Sequence, residues 1–224
     1  MYNTFGLPRY VLSEHNKAIR DAAAGTPYDF LCIILNDSRY GGGGIFNLYA
    51  ITYAGEQTKG QEWQMDYTYV HEFGHSFAGL GDEYYSSAVA YSDFYPAGVE
   101  PWEPNITAQT TAGKVKWRTL LSAGIDVPSP WAKSAYDSVE ALRQKLDRLA
   151  PDYYEKREPY YRASMNLLKT SPNAGKVGVF EGAGYAAKGL YRPSVDCRMF
   201  SLSLADFDPV CSAAIERMID FYAR

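Results

Sequence analysis

Two histidines four residues apart with a glutamate between them, His71-Glu72-Phe-Gly-His75, carry the strongest chemical signal in this chain. On a helix, the first and fifth positions of His-Glu-x-x-His lie one turn apart on the same face. Two imidazoles so placed can reach one metal ion, as zinc's nitrogen-ligand chemistry requires. Glu72 can then hold a water activated by that metal and take its proton. The chain has three histidines and two of them sit in this pattern, which argues against an accidental pair. The preceding Met65-Asp-Tyr67-Thr-Tyr69-Val70 is apolar and aromatic enough to bury such a helix. Gly79 and Gly81 then break it just before Asp82 and Glu83, where a third ligand is needed.

Two histidines and a carboxylate favour one zinc per chain, because zinc accepts mixed nitrogen and oxygen ligands and keeps a position open for water. Asp82 leads as the third ligand, beyond a Gly-Leu-Gly turn that can fold the chain back towards the metal. Glu83 competes with it, and Glu100 or Glu103 would serve if the carboxylate came from further along the chain. Glu72 would take the water's proton and pass it to the leaving amine of a peptide bond. Tyr185 and Tyr191, both near glycines, are candidates to place a hydroxyl at a developing oxyanion, where a fixed donor is worth ~3 kcal/mol. Met199 is a candidate for the apolar floor beneath the metal.

These residues need a scaffold. The pattern predicts the metal helix over roughly Trp63 to Ala78. Ahead of it, Ser13 is placed to cap a helix from Glu14 to Ala24. The apolar run Tyr28 to Leu35 reads as a strand buried on both faces, as in a parallel sheet between helices. Gly41 to Gly44 could cradle a phosphate, but no Gly-Lys-Ser/Thr follows. They read instead as a flexible turn whose backbone passes close to the site. Ile45 to Tyr53 is a second strand, either core or one to which an extended substrate adds. Beyond Tyr85 comes a loop-rich stretch to about Pro130, with aromatics beside prolines. Amphipathic helices follow over Tyr136 to Leu149, with Val139, Leu142, Leu146 and Leu149 on one stripe, then over part of Tyr160 to Lys169, and over Ser212 to Tyr222. The fold class is therefore α/β (α+β): a mostly parallel twisted sheet with flanking helices and an active-site helix.

With 224 residues, 46% hydrophobic and 15% aromatic, the chain can build a substantial core, and no domain break is evident. It reads as one catalytic domain over 1–224, with sheet and metal helix in 1–82 and loops and further helices in 83–224. A net charge of -4 without a basic stripe excludes nucleic acid as a natural partner. No apolar run approaches the ~20 residues that span a bilayer. The N-terminus lacks signal-peptide features, which fits either a cytosolic protein or the catalytic part of a longer precursor. Cys32, inside Phe30 to Leu35, reads as a small buried hydrophobe. Cys197 and Cys211 pair as a disulfide if the protein is exported and stay free otherwise. Asn105-Ile-Thr107 matches a glycosylation sequon.

His71 to Tyr84, Tyr40 to Gly44, Pro101 to Thr107, Gly178 to Tyr185 and Tyr191-Arg-Pro with Cys197-x-Met199 together resemble the IgA peptidase family of bacterial metallopeptidases. The resemblance implies a metzincin-like zinc endopeptidase, secreted or held at the bacterial surface or periplasm. Its members are named for cleaving immunoglobulin A, so immunoglobulin or another host glycoprotein is an expected substrate class. By position it implies His71, His75 and Asp82 as ligands, Glu72 as general base and Met199 as the Met-turn residue. The rivals are a non-catalytic peptide- or glycan-binding module on a metallopeptidase fold, against which the intact Glu72 argues, and a metal-dependent hydrolase of other bonds.

Overall fold

Cys32-Ile-Ile-Leu35 is β-branched and apolar, the composition that favours an extended backbone, and it forms strand β1. In the computed structural model, which describes residues 2–6, 9–54, 63–85, 94–96, 98–147, 150–203 and 205–224, the chain divides into two compact units. One is Met1–Leu80 with Ala214–Arg224, the other Gly81–Ala213.

In the first unit, β1, β2 (Gly42–Ile45) and β3 (Tyr49–Tyr53) form a sheet in the order β1-β3-β2. β1 runs parallel to β3 and β2 antiparallel to it. The sheet is thus mixed rather than mostly parallel. Only residues 46–48 join β2 to β3, enough for a hairpin but not for the crossover that a parallel neighbour requires. The expected strand Ile45 to Tyr53 is broken by that turn, where Asn47 takes a positive φ of 56°. β3 is buried throughout and has both edges paired, so no substrate strand can add to it. Its Tyr49 and Ile51 pack with Val11, and Leu31, Ile33 and Leu35 join them.

Two expectations about β1 fail, burial on both faces and a buried Cys32. It pairs on a single side, and its burial alternates, leaving Ile34 63% exposed and Cys32 exposed rather than buried. Helix α1 (Asn16–Ala23) starts later than expected, because Ser13 Oγ accepts the His15 N–H at 3.1 Å instead of capping the helix. Helix α2 spans Trp63–Ala78, the predicted range. Phe73 and Phe77 on α2 stack at 4.9 Å, and Phe30 meets Phe77 at 4.6 Å and Tyr222 at 4.8 Å.

In the second unit, α3 (Lys133–Arg143) buries Tyr136 and Glu140, not the predicted leucine stripe. Leu142 is 49% exposed, Leu146 lies past the helix, and Leu149 falls outside the described residues. A buried Glu140 is tolerated because Ser164 Oγ and Arg143 Nε donate to its carboxylate at 2.8 and 2.9 Å. Ser164 comes from α4 (Tyr153–Thr170), longer than the segment expected. β4 (Phe180–Ala183) and β5 (Ala186–Arg192) form a hairpin through Gly184 and Tyr185. Both have positive φ, 55° and 66°, as a two-residue turn with matching twist requires. Arg192 is fully buried, with its guanidinium 3.8 Å from the Phe200 ring centre and 4.3 Å from that of Trp131. It donates to the carbonyls of Gly182 and Val195 at 2.6 and 3.0 Å. Helix α5 (Pro209–Tyr222) begins earlier than expected because Asp208 caps it, Oδ1 accepting from the Val210 and Cys211 N–H groups at 2.8 and 2.9 Å.

Candidate metal centre

On α2, residues 71 and 75 point the same way, and their Nε2 atoms stand 3.2 Å apart. Two nitrogens held on a tetrahedral zinc at its usual bond lengths would be separated by about 3.3 Å. His75 Nδ1 lies 2.6 Å from the Leu80 carbonyl oxygen, which can only accept, so Nδ1 carries the proton and Nε2 keeps its lone pair. That carbonyl is available because the helix ends just before it, with Gly79 at φ 63° and the Leu80 N–H donating back to the Gly74 carbonyl at 3.3 Å. His71 is buried and its ring stacks with Tyr67 at 6.2 Å; Glu72 and His75 are half-buried. One donor atom from each of His71, Glu72 and His75 lies within 4.8 Å of the others, so the three predicted residues come together.

The glycine run is part of this arrangement. A Cβ on Gly42 would lie 2.7 Å from Glu72 Oε1, and one on Gly44 would lie 2.4 Å from the Glu72 carbonyl oxygen. These glycines form a strand rather than a flexible turn. They admit the sheet's edge against the very turn of α2 that carries Glu72.

Past Leu80, the chain is held in the second unit residue by residue. The Asn105 amide both accepts from the Gly81 N–H at 2.8 Å and donates to the Gly81 carbonyl at 2.9 Å. The Asp82 carbonyl accepts from Gly184 N–H at 2.9 Å, and Glu83 N–H donates to the Met199 carbonyl at 2.8 Å. Asp82 is 5% exposed, and the Tyr185 hydroxyl donates to its Oδ2. The Tyr185 ring is fixed by Tyr84 and Phe94, both at 5.4 Å.

The competing carboxylates have other partners. Glu83 is fully buried and accepts from Asn105 Nδ2 at 2.9 Å, with Cys211 Sγ at 3.4 Å. Burial and the nearby Asp208 hold its carboxyl well above the usual carboxylate range. Glu100 accepts from Thr107 Oγ1 and Ala108 N–H at 2.6 and 2.7 Å, and Glu103 from the Tyr95 hydroxyl at 2.8 Å. Tyr191 packs against the Val115 and Trp117 cluster, and its backbone pairs with Thr107. Its hydroxyl is pushed up from its ordinary pKa by burial, then by Glu181. Met199 is fully buried.

Sequence reasoning missed the Leu80 carbonyl, a backbone group with no residue-type signal. It also missed Asn105 as a clamp. The Asn105 side chain is fully buried and fully bonded, so the sequon is closed to glycosylation in the folded chain. Cys197 and Cys211 are both free thiols with sulfurs 3.8 Å apart, not a disulfide.

A family model described as IgA Peptidase M64 matches residues 1–219, nearly the full chain. No curated protein matches the chain.

Proposed function

Since this chain belongs to the IgA Peptidase M64 family, which implies a metallopeptidase, we propose that it is a zinc-dependent endopeptidase acting on protein substrates. The observation that carries the reading is the pair of Nε2 atoms 3.2 Å apart, with the His75 tautomer set by Leu80 and Glu72 beside them. His71 and His75 would hold the ion. Asp82 is the third ligand in this reading, because it follows Leu80 by two residues and two trans peptide steps reach at most about 7.6 Å from that Cα. Glu83, the nearest competitor, already engages Asn105 and Cys211 through Oε1, which favours Asp82 in this reading. When bound, zinc supplies a Lewis acid that polarises the scissile carbonyl and lowers the pKa of water.

The chain's own residues do the rest. Glu72 takes a proton from the attacking water as its oxygen adds to the carbonyl carbon. The same carboxyl then delivers that proton to the amine as the C–N bond breaks. Tyr185, an oxyanion candidate from the sequence, would also position Asp82, to which its hydroxyl donates. Tyr191 is the other oxyanion candidate from the sequence, and Met199 the apolar floor. The reading takes 1–224 as one catalytic domain, secreted or at the cell surface. Among the described residues no helix is long and apolar enough to cross a membrane.

The test is Glu72→Gln, assayed on an unfolded protein and by elemental analysis. The variant should keep its zinc and lose about 10²–10⁴-fold in kcat/KM, the contribution of a positioned general base. Full activity in that variant would refute the reading, and a zinc-loaded wild type inert on every unfolded protein would favour the binding module.

A further inference from the structure

The second unit buries a group of side chains that the peptidase reading does not use. Glu83, Cys197, Asp208 and Cys211 each offer one donor atom, and these atoms all lie within 4.8 Å of one another. Glu83, Cys197 and Cys211 are fully buried, and Asp208 is 5% exposed. We propose that these four residues form a second, structural site for a thiophilic divalent cation, zinc foremost, independent of the histidine pair.

The distances fit such an ion. Two thiolates on a tetrahedral zinc stand about 3.8 Å apart, and a thiolate and a carboxylate oxygen about 3.5 Å apart. The sulfurs of Cys197 and Cys211 are 3.8 Å apart, and Cys211 Sγ lies 3.4 Å from Glu83 Oε1. The supporting bonds are those of a ligand shell. Cys197 Sγ accepts backbone N–H groups from Met199 at 3.5 Å and Asp208 at 3.4 Å. Asp208 caps α5, a 14-residue helix whose N-terminus favours negative charge, and Cys211 sits in its first turn. Arg192, fully buried, adds a positive charge that Glu83 feels.

What separates this reading from a neutral, proton-filled cluster is the orphaned oxygens. Asp208 spends Oδ1 on the helix cap and Glu83 spends Oε1 on Asn105. Glu83 Oε2 and Asp208 Oδ2 are buried with no hydrogen-bond partner among the described residues. Native proteins rarely leave such atoms unpaired, and a cation would satisfy both. Asp208 lines a cavity of about 260 Å³ with Leu168, Ser194 and Asp206, so the cluster borders open space on that side.

The experiment uses the full chain carrying His71→Ala and His75→Ala, so its outcome does not depend on the peptidase reading. The variant is stripped with chelator under reducing conditions and titrated with cobalt(II). One equivalent should bind with a thiolate-to-cobalt charge-transfer band, and zinc should bleach that band and raise the Tm. Adding Asp208→Asn, which keeps a good helix cap, should weaken cobalt binding by at least about tenfold, the lower range for losing even an outer partner of a metal ligand. A folded double variant that shows no sulfur-to-metal band at excess cobalt overturns the proposal. So does an Asp208→Asn variant that binds cobalt as tightly as its parent.

Discussion

Gly44→Ala is the sharpest test of how the sheet meets the metal helix. The new Cβ would lie 2.4 Å from the Glu72 carbonyl oxygen and 2.7 Å from His75 Cβ. The first is a backbone atom and cannot swing away, while ordinary contact needs about 3.5 Å. The strand and helix must therefore separate by about 1 Å. Overpacking of this kind costs about 1–3 kcal/mol, and the smaller entropy of the unfolded alanine chain returns about 0.4–1 kcal/mol of that. A net loss of about 1–2 kcal/mol lowers Tm by roughly 2–8 °C in a chain of this size. The same shift moves Glu72 and His75, and a displacement of about 1 Å in a reacting group can cost about 10²-fold in rate. Gly25→Ala is the control, because nothing lies within 4 Å of a Cβ there. Differential scanning fluorimetry and kcat/KM on an unfolded protein substrate, run on both variants, decide the matter. If Gly44→Ala matches wild type in both, the close approach of β2 to α2 is not what positions Glu72.

Tyr185→Phe removes the hydroxyl that donates to Asp82, and metal affinity at the histidine site should fall about 10–100-fold in competition with a chromophoric chelator. Unchanged affinity would take Asp82 out of the ligand set or Tyr185 out of its support. Asn105→Ala strips partners from both Gly81 backbone groups and from Glu83, and each buried group left unpaired costs about 1–3 kcal/mol. Urea unfolding should register that loss, and a midpoint equal to wild type would contradict the clamp. In the native protein a thiol reagent should modify Cys32 alone, with Cys197 and Cys211 reacting only after denaturation. Fast labelling of either buried thiol would refute their enclosure.

Much of the metal helix was legible because its signals are local. His71 and His75 share a face by the helical repeat alone, with Glu72 beside them, and Gly79 ends the helix at φ 63°. Local signals failed wherever partners came from afar. The leucine stripe of α3 lost to Tyr136 and Glu140, whose buried carboxylate is satisfied by Ser164, 24 residues away on α4. The apolar run at Cys32 to Leu35 looked doubly buried, but its exposure depends on what covers each face of the sheet, which no run of residues encodes. Residue types and spacing thus determined the candidate metal-binding pair, since side-chain identity and helical period are properties of the chain itself. Only the tertiary structure decided that Glu83 turns to Asn105 and the cysteines, while Tyr185, 103 residues further on, takes Asp82. Two adjacent carboxylates are chemically alike, and only the groups folded around them make them different.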